Sequence, residues 1–273
     1  MIAYLNGALF FFEVIAIQYL GGKSRISKQI SEVIIDEISR RKEPNSNLDC
    51  VSNRERERER VKGTMGNLVS LFCGSCAVES KLAPHFSNVI CNDNHKYLIA
   101  LWRALQSGYD LPEVISEDTY KSIRENKDVN PALTGFVGFG CSFGGKFFGG
   151  YARNKTGTNY AAQSKRSILK DFANLQNATF TCNDYKDVVI PAGSVVYADP
   201  PYSNTTGYTS GKFNSEEFWD YMRQIGKDNQ VFISELEAPD DFVCVWERPF
   251  TRTLDRNKNN QFKVVEKLFT YKG

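Results

Sequence analysis

The chain has 273 residues, of which 41% are hydrophobic, and a formal net charge of +2. That is apolar material enough for one domain with an insertion, or for two, and the near-neutral balance does not by itself announce a polyanionic partner, so any nucleic-acid contact must rest on local charge. Seven cysteines scattered through apolar stretches do not make a disulfide framework and fit a reducing cytoplasm, and two histidines leave little for a metal site.

The opening "MIAYLNGALFFFEVIAI" is apolar, but it is short for a membrane span, carries Glu13 and has no basic residue ahead of its apolar part. We read residues 1–18 as an amino-terminal extension, helix or strand, packed on the body rather than as a signal or anchor. From Ser24, Ile26, Ile30, Val33 or Ile34, and Ile38 recur at helical spacing and predict a helix. Residues 42–63 follow, a polar stretch with Pro44 and then alternating Arg and Glu; the run has no apolar face and predicts an exposed loop. "GNLVSLFCGSCAVESKLA" reads as a buried strand, a turn at Gly74 and Ser75, and a helix; "NVICND" is a second strand and "HKYLIALWRALQSG" a second helix. This alternation begins a parallel α/β sheet, whose ligands lie at the carboxyl ends of the strands.

Residues 131–170 break the rhythm. They are rich in glycine and aromatics and hold Lys146, Arg153, Lys155, Lys165, Arg166 and Lys170 without one acidic residue. Read as a glycine-rich loop, the stretch would put several of Phe136, Phe139, Phe143, Phe147 and Phe148 into the core; its cations suit phosphates and its rings suit bases, so we expect a nucleic-acid contact here. The sheet then resumes with "ATFTCNDYKDV", "GSVVYADPPY", the amphipathic helix "EEFWDYMRQIGK", the strand "QVFISELEAP" and the closing strand "FKVVEKLFTYK".

In "YADPPY" an aspartate follows an apolar strand and precedes two prolines and a tyrosine. Pro200 and Pro201 fix φ and have no amide hydrogen, so the turn is stiff and its carbonyls are available to accept. The Asp199 carboxylate beside a backbone carbonyl suits a planar amino group with two hydrogens to give, and Tyr202 offers a face for the ring bearing it. The partner so described is the exocyclic amine of a nucleobase, which in a duplex must first be swung out of the stack.

On these residues the chain resembles the DNA adenine methylase (Dam-like) family of S-adenosylmethionine-dependent methyltransferases, from Tyr19 onward. "QYLGGKSR" is similar to the amino-terminal cofactor motif (Tyr19, Gly21, Gly22, Lys23), "LVSLFCGSCAVE" to the turn that cradles the methionine part (Phe72, Gly74), and "ICNDNHKYLIALWRAL" to the strand whose carboxylate takes the ribose hydroxyls (Asp93). Asp184 and Tyr185 would lie near the cofactor adenine, and Asp199, Pro200, Pro201 and Tyr202 would form the catalytic motif, Asp199 also reaching the cofactor site. The resemblance implies a Rossmann-like methyltransferase sheet of seven strands in an α/β fold, with the catalytic domain in residues 19–105 and 167–273 and a target-recognition insert in 106–166. It implies methyl transfer to the 6-amino group of a flipped-out adenine in double-stranded DNA by a monomer without metal. The same catalytic logic serves RNA adenine or the cytosine amine, and a chain that binds nucleic acid without catalysis is a further alternative. The family has an acidic residue and a proline before the turn's Phe and often a later glycine; here Ser70 and Leu71 precede Phe72 and Cys76 stands later, which implies a weaker hold on the cofactor. Cys73 and Cys76 also allow a redox dithiol reading.

Overall fold

The computed structural model describes residues 4–5, 8–9, 23–42, 65–201, 213–253 and 261–273. Most of the expected loop at 42–63, from residue 43 on, and the candidate site residues Tyr19, Gly21, Gly22 and Tyr202 lie outside them. In the extension, β1 (Tyr4–Leu5) and β2 (Ala8–Leu9) pair antiparallel as a separate two-stranded element.

The main sheet has seven strands: β3 (Met65–Ser70), β4 (Phe86–Asn92), β5 (Thr179–Thr181), β6 (Val195–Ala198), β7 (Gln230–Glu235), β8 (Phe242–Thr253) and β9 (Gln261–Tyr271), in the order β5-β4-β3-β6-β7-β9-β8. The first five in that order run parallel; β9 is antiparallel to β7 and β8 to β9. The order reverses between β3 and β6, and such a switch point opens a crevice at the strands' carboxyl ends. β6 is buried at all four positions, which is why it reads as an unbroken apolar run instead of an alternation.

Helices cover both faces. On one, α1 (Ser27–Lys42) presents Ile30, Ile34 and Ile38, all buried, to a core that includes Leu68, Tyr197, Phe232 and Leu268. Its first helical residue comes three later than Ser24, because the chain turns at 24–26, where the Ile26 amide donates to the Lys23 carbonyl at 2.8 Å. On the other face α7 (Ser215–Gly226), capped by Asn214, buries Phe218, Trp219 and Met222 against Val196, Ala198 and Ile233. Between the sheet's turns lie the short α2 (Glu79–Leu82) and α3 (Lys96–Gln106).

The segment before β5 is more helical than a glycine-rich loop. It contains α4 (Glu117–Glu125), α5 (Pro131–Gly140) and α6 (Tyr160–Phe172). Asn130 caps α5 by accepting the Leu133 amide at 3.0 Å, and Pro131 sits in its first turn. Glycine there serves close approach: a Cβ on Gly135 would lie 2.1 Å from the Tyr97 carbonyl oxygen, so α5 crosses α3 nearly backbone to backbone. Phe136 and Phe139 are buried as expected and Phe147 and Phe148 pack against the same core, whereas Phe143 is 57% exposed. α6 runs through residue 166 and shares that core, so the chain re-enters the sheet without a break.

Candidate active site

The ends of β3, β4 and β6 converge. After β3, the Leu71 amide donates to the Tyr197 carbonyl at 3.0 Å and the Cys73 amide to the Asn92 carbonyl at 2.7 Å, which fastens the turn to both neighbours. Gly74 takes a φ of +47° and Cys76 a φ of +53°, the second unusual for a residue with a Cβ. Gly74 donates its amide to Asp93 Oδ2 at 3.0 Å, and the His95 amide donates to Asp93 Oδ1 at 2.9 Å. Burial raises the Asp93 carboxyl above its ordinary range, and those two amides work against the rise. The sequence gives no local signal for Asn92, yet its buried amide group donates to the carbonyls of Leu71 and Asn183, both at 3.1 Å, while its oxygen accepts the Asn183 amide at 3.0 Å. It fixes the strand ends on either side of β4.

Asp199 follows β6 directly. Lys23 Nζ lies 2.7 Å from Asp199 Oδ1 and 3.6 Å from a Glu266 oxygen, although the residues are 176 apart in sequence. Burial opposes the lysine's charge, but Asp199 and Glu266 outweigh it and hold the ammonium above its usual range. Pro200 is buried and Pro201 half-buried. Tyr185 is buried with its ring centroid 5.3 Å from that of Phe72, and burial lifts its hydroxyl to about 12. Asp184 is exposed and accepts the Lys186 amide at 3.0 Å, capping a single turn of 3-10 helix.

Two further carboxyls stand in this region that motif reading passes over. Glu79, 2% exposed, accepts from Ser70 Oγ at 2.5 Å, and burial pushes it to about 8, with Asp199 and Asp93 adding smaller repulsions. Glu235, 9% exposed at the end of β7, is also pushed to about 8, again chiefly by burial. Of the carboxyls in this region Asp199 and Glu266 pair with the buried Lys23, and the charge of Asp199 bears on both Glu79 and Glu235. Carboxyls raised by burial meet a cationic ligand such as a sulfonium with an ammonium by ionising, which the arriving cation itself favours.

The basic residues of the middle segment are not equivalent. Lys165 is committed to Asp110 and Glu113 at 2.8 and 3.2 Å, and Arg153 to Glu117 at 3.0 Å. Lys146, Lys155 and Arg166 are exposed. Cys73 and Cys76 are buried and burial raises both thiols, Cys76 well above the ordinary range, so their chemistry is that of packing rather than of a dithiol. His95 stacks edge-on to Phe147 at 4.5 Å and Phe139 at 4.9 Å, as a packing residue. No group of three or more metal-ligating side chains and no helix long and apolar enough to cross a membrane occur among the described residues.

A switch-point sheet of this strand order, with a carboxylate past each of β4 and β6, defines a Rossmann-like methyltransferase fold. The sequence profile of the D12 class N6 adenine-specific DNA methyltransferases matches residues 58–132 and 141–233, and the chain belongs to that family. Membership carries methyltransferase chemistry, with S-adenosylmethionine as the donor that the family implies. No curated protein sequence matches the chain. Among solved structures it overlaps a tRNA methyltransferase from Aquifex aeolicus (11% identity, TM-score 0.33, covering 100% of this chain and 89% of that one). It also overlaps an rRNA methylase from Streptococcus thermophilus (6% identity, TM-score 0.33, 83% of this chain and 98% of that one). These overlays are shallow, and the fold assignment rests on the strand order and the family.

Proposed function

We propose that the protein transfers a methyl group to the exocyclic 6-amino group of an adenine swung out of duplex DNA. The observation that carries this reading is the placement of Asp199, a carboxylate at the carboxyl end of the buried central strand β6, followed by Pro200 and Pro201 and ion-paired to Lys23. Asp199 and the Pro200 carbonyl accept the two amine hydrogens, draw the nitrogen lone pair out of ring conjugation and stabilise the positive charge that develops on it. Tyr202 stacks on the flipped base, and the cost of unstacking, a few kcal/mol, is met by protein contacts.

Tyr19, Gly21, Gly22, Lys23, Phe72, Gly74, Asp93, Asp184 and Tyr185 are the residues that would hold S-adenosylmethionine, Asp93 at its ribose. When bound, that group supplies a methyl already activated on a sulfonium, so the chain's work is alignment more than acid–base chemistry. Lys23 keeps Asp199 oriented and ionised while the site is assembled. The exposed Lys146, Lys155 and Arg166 meet phosphates, and residues 106–166 serve as the target-recognition insert. Arg153 and Lys165 join them only by exchanging their carboxylate partners for phosphate.

The test is a competition among substrates: unmethylated duplex DNA, the same sequence as single strands, and RNA, each offered with labelled S-adenosylmethionine. The reading requires duplex DNA to take the label fastest; preferential labelling of RNA overturns it.

A further inference from the structure

Lys23 stands just ahead of α1, where the Ile26 amide donates to its carbonyl at 2.8 Å. Its Nζ lies 2.7 Å from Asp199 Oδ1 and 3.6 Å from Glu266 Oε2, with the lysine side chain 4% and the glutamate side chain 7% exposed. The sheet register explains the meeting. Paired residues share a face and faces alternate along a strand, so Ser234, which pairs with Leu268, has Glu266 on its own face. Tyr197 is on that face too, its hydroxyl 2.9 Å from Ser234 Oγ. This is the face that α1 covers, and its core is built of side chains such as Phe232, Leu268 and the α1 isoleucines. A lysine and two carboxylates in such a place cost desolvation, and apolar residues of similar size would hold the layers together as well. For anchoring Lys23 the closer carboxylate, Asp199, is sufficient. Glu266 is a second partner and needs a separate reason.

Asp199 has two duties that conflict. Before a substrate amine arrives, Lys23 keeps it ionised; afterwards, an ammonium 2.7 Å away occupies one of its oxygens and opposes the positive charge that develops on the amine nitrogen. We propose, on the reading given under Proposed function, that Glu266 is a positioning residue that takes over the Lys23 ammonium when the amine binds, leaving Asp199 to accept from the amine and stabilise its charge. The shift asked of Lys23 is small. Nζ already has the Glu266 carboxylate within ion-pair distance, and a lysine ammonium carries three hydrogens on a flexible stem, so it leans toward one oxygen as it leaves the other. Glu266 itself sits on β9, two strands from β6, and acts through Lys23.

The experiment compares wild type, Glu266→Gln and Glu266→Asp in single-turnover methyl transfer to unmethylated duplex DNA at saturating S-adenosylmethionine, together with DNA affinity and the urea midpoint of unfolding. In Glu266→Gln the lysine keeps Asp199 as its partner, so the midpoint is expected to stay near that of wild type. The transfer step is expected to be about tenfold slower at unchanged DNA affinity, the effect of one charged interaction lost in the transition state only. Glu266→Asp keeps the charge on a shorter stem and is expected to recover part of that rate. A Glu266→Gln protein that transfers methyl at the wild-type rate overturns the inference alone. So does a loss of rate matched by a lowered midpoint in both variants, the signature of a merely structural residue. Should Glu266→Gln not fold, Glu266→Asp decides by the same two readings. A wild type that labels no DNA removes the underlying reading and this inference with it.

Discussion

Glu79 supplies a carboxylate where the turn before Phe72 has none. The sequence places Ser70 and Leu71 there, and Ser70 Oγ donates to Glu79 Oε1 at 2.5 Å, so the acidic group reaches the turn from nine residues further on. If it meets the cofactor's cation, Glu79→Gln should weaken S-adenosylmethionine binding by about tenfold or more, the worth of one charged hydrogen bond. Because burial holds this carboxyl at about 8, it must ionise to meet a cation, and affinity should climb as pH rises through that value; calorimetry on wild type and variant between about pH 7 and 9 reads both effects, and equal, pH-independent affinities would contradict them. His95 makes a second prediction, of stability. Burial among aromatic rings lowers its imidazole from 6.5 to about 4. The unfolded chain then binds a proton before the folded one does, so His95 contributes stability above about pH 6.5 that is lost as pH falls toward 4, about 3 kcal/mol in all. Urea unfolding at pH 7 and pH 4.5 should show a smaller acid loss in His95→Phe than in wild type.

α5 is the element least legible in the sequence and the one most sensitive to a single methyl group. Gly135→Ala would drive a Cβ to 2.1 Å from the Tyr97 carbonyl oxygen and should cost about 3 kcal/mol or more in denaturant unfolding, whereas Gly66→Ala in β3 meets nothing within 4 Å and should stay within about 0.5 kcal/mol. Equal effects would mean that α5 and α3 do not cross so closely. The sequence hid α5 because "PALTGFVGFG" is apolar or small all round, leaving no helical period, and because glycine disfavours a helix locally; a neighbouring backbone decides the matter. By contrast α1 announced itself through isoleucines four apart, and β3, β4, β6 and β7 through apolar runs bounded by turn residues. Pro249 in β8 is tolerated because β8 is the edge of the sheet.

For the whole molecule, the parallel part of the sheet is readable because local signals and global topology agree. The site was readable only in part: Asp93 and Asp199 stand at strand ends that the pattern marks, while Glu79, Glu235 and Asn92 become neighbours of those ends through packing and register, which no local stretch encodes. Binding of duplex DNA belongs to this scale too. Each of Lys146→Ala, Lys155→Ala and Arg166→Ala should weaken it evenly across sequences and lower the slope of log affinity against log salt by about 1, with Arg153→Ala and Lys165→Ala doing less because their charges are already paired. The most direct test of the central claim is labelled methyl transfer into unmethylated duplex DNA by wild type and by Asp199→Ala, followed by digestion to nucleosides. The account predicts 6-methyladenine that disappears in the variant; label in another nucleoside, or 6-methyladenine that survives the loss of Asp199, would contradict it.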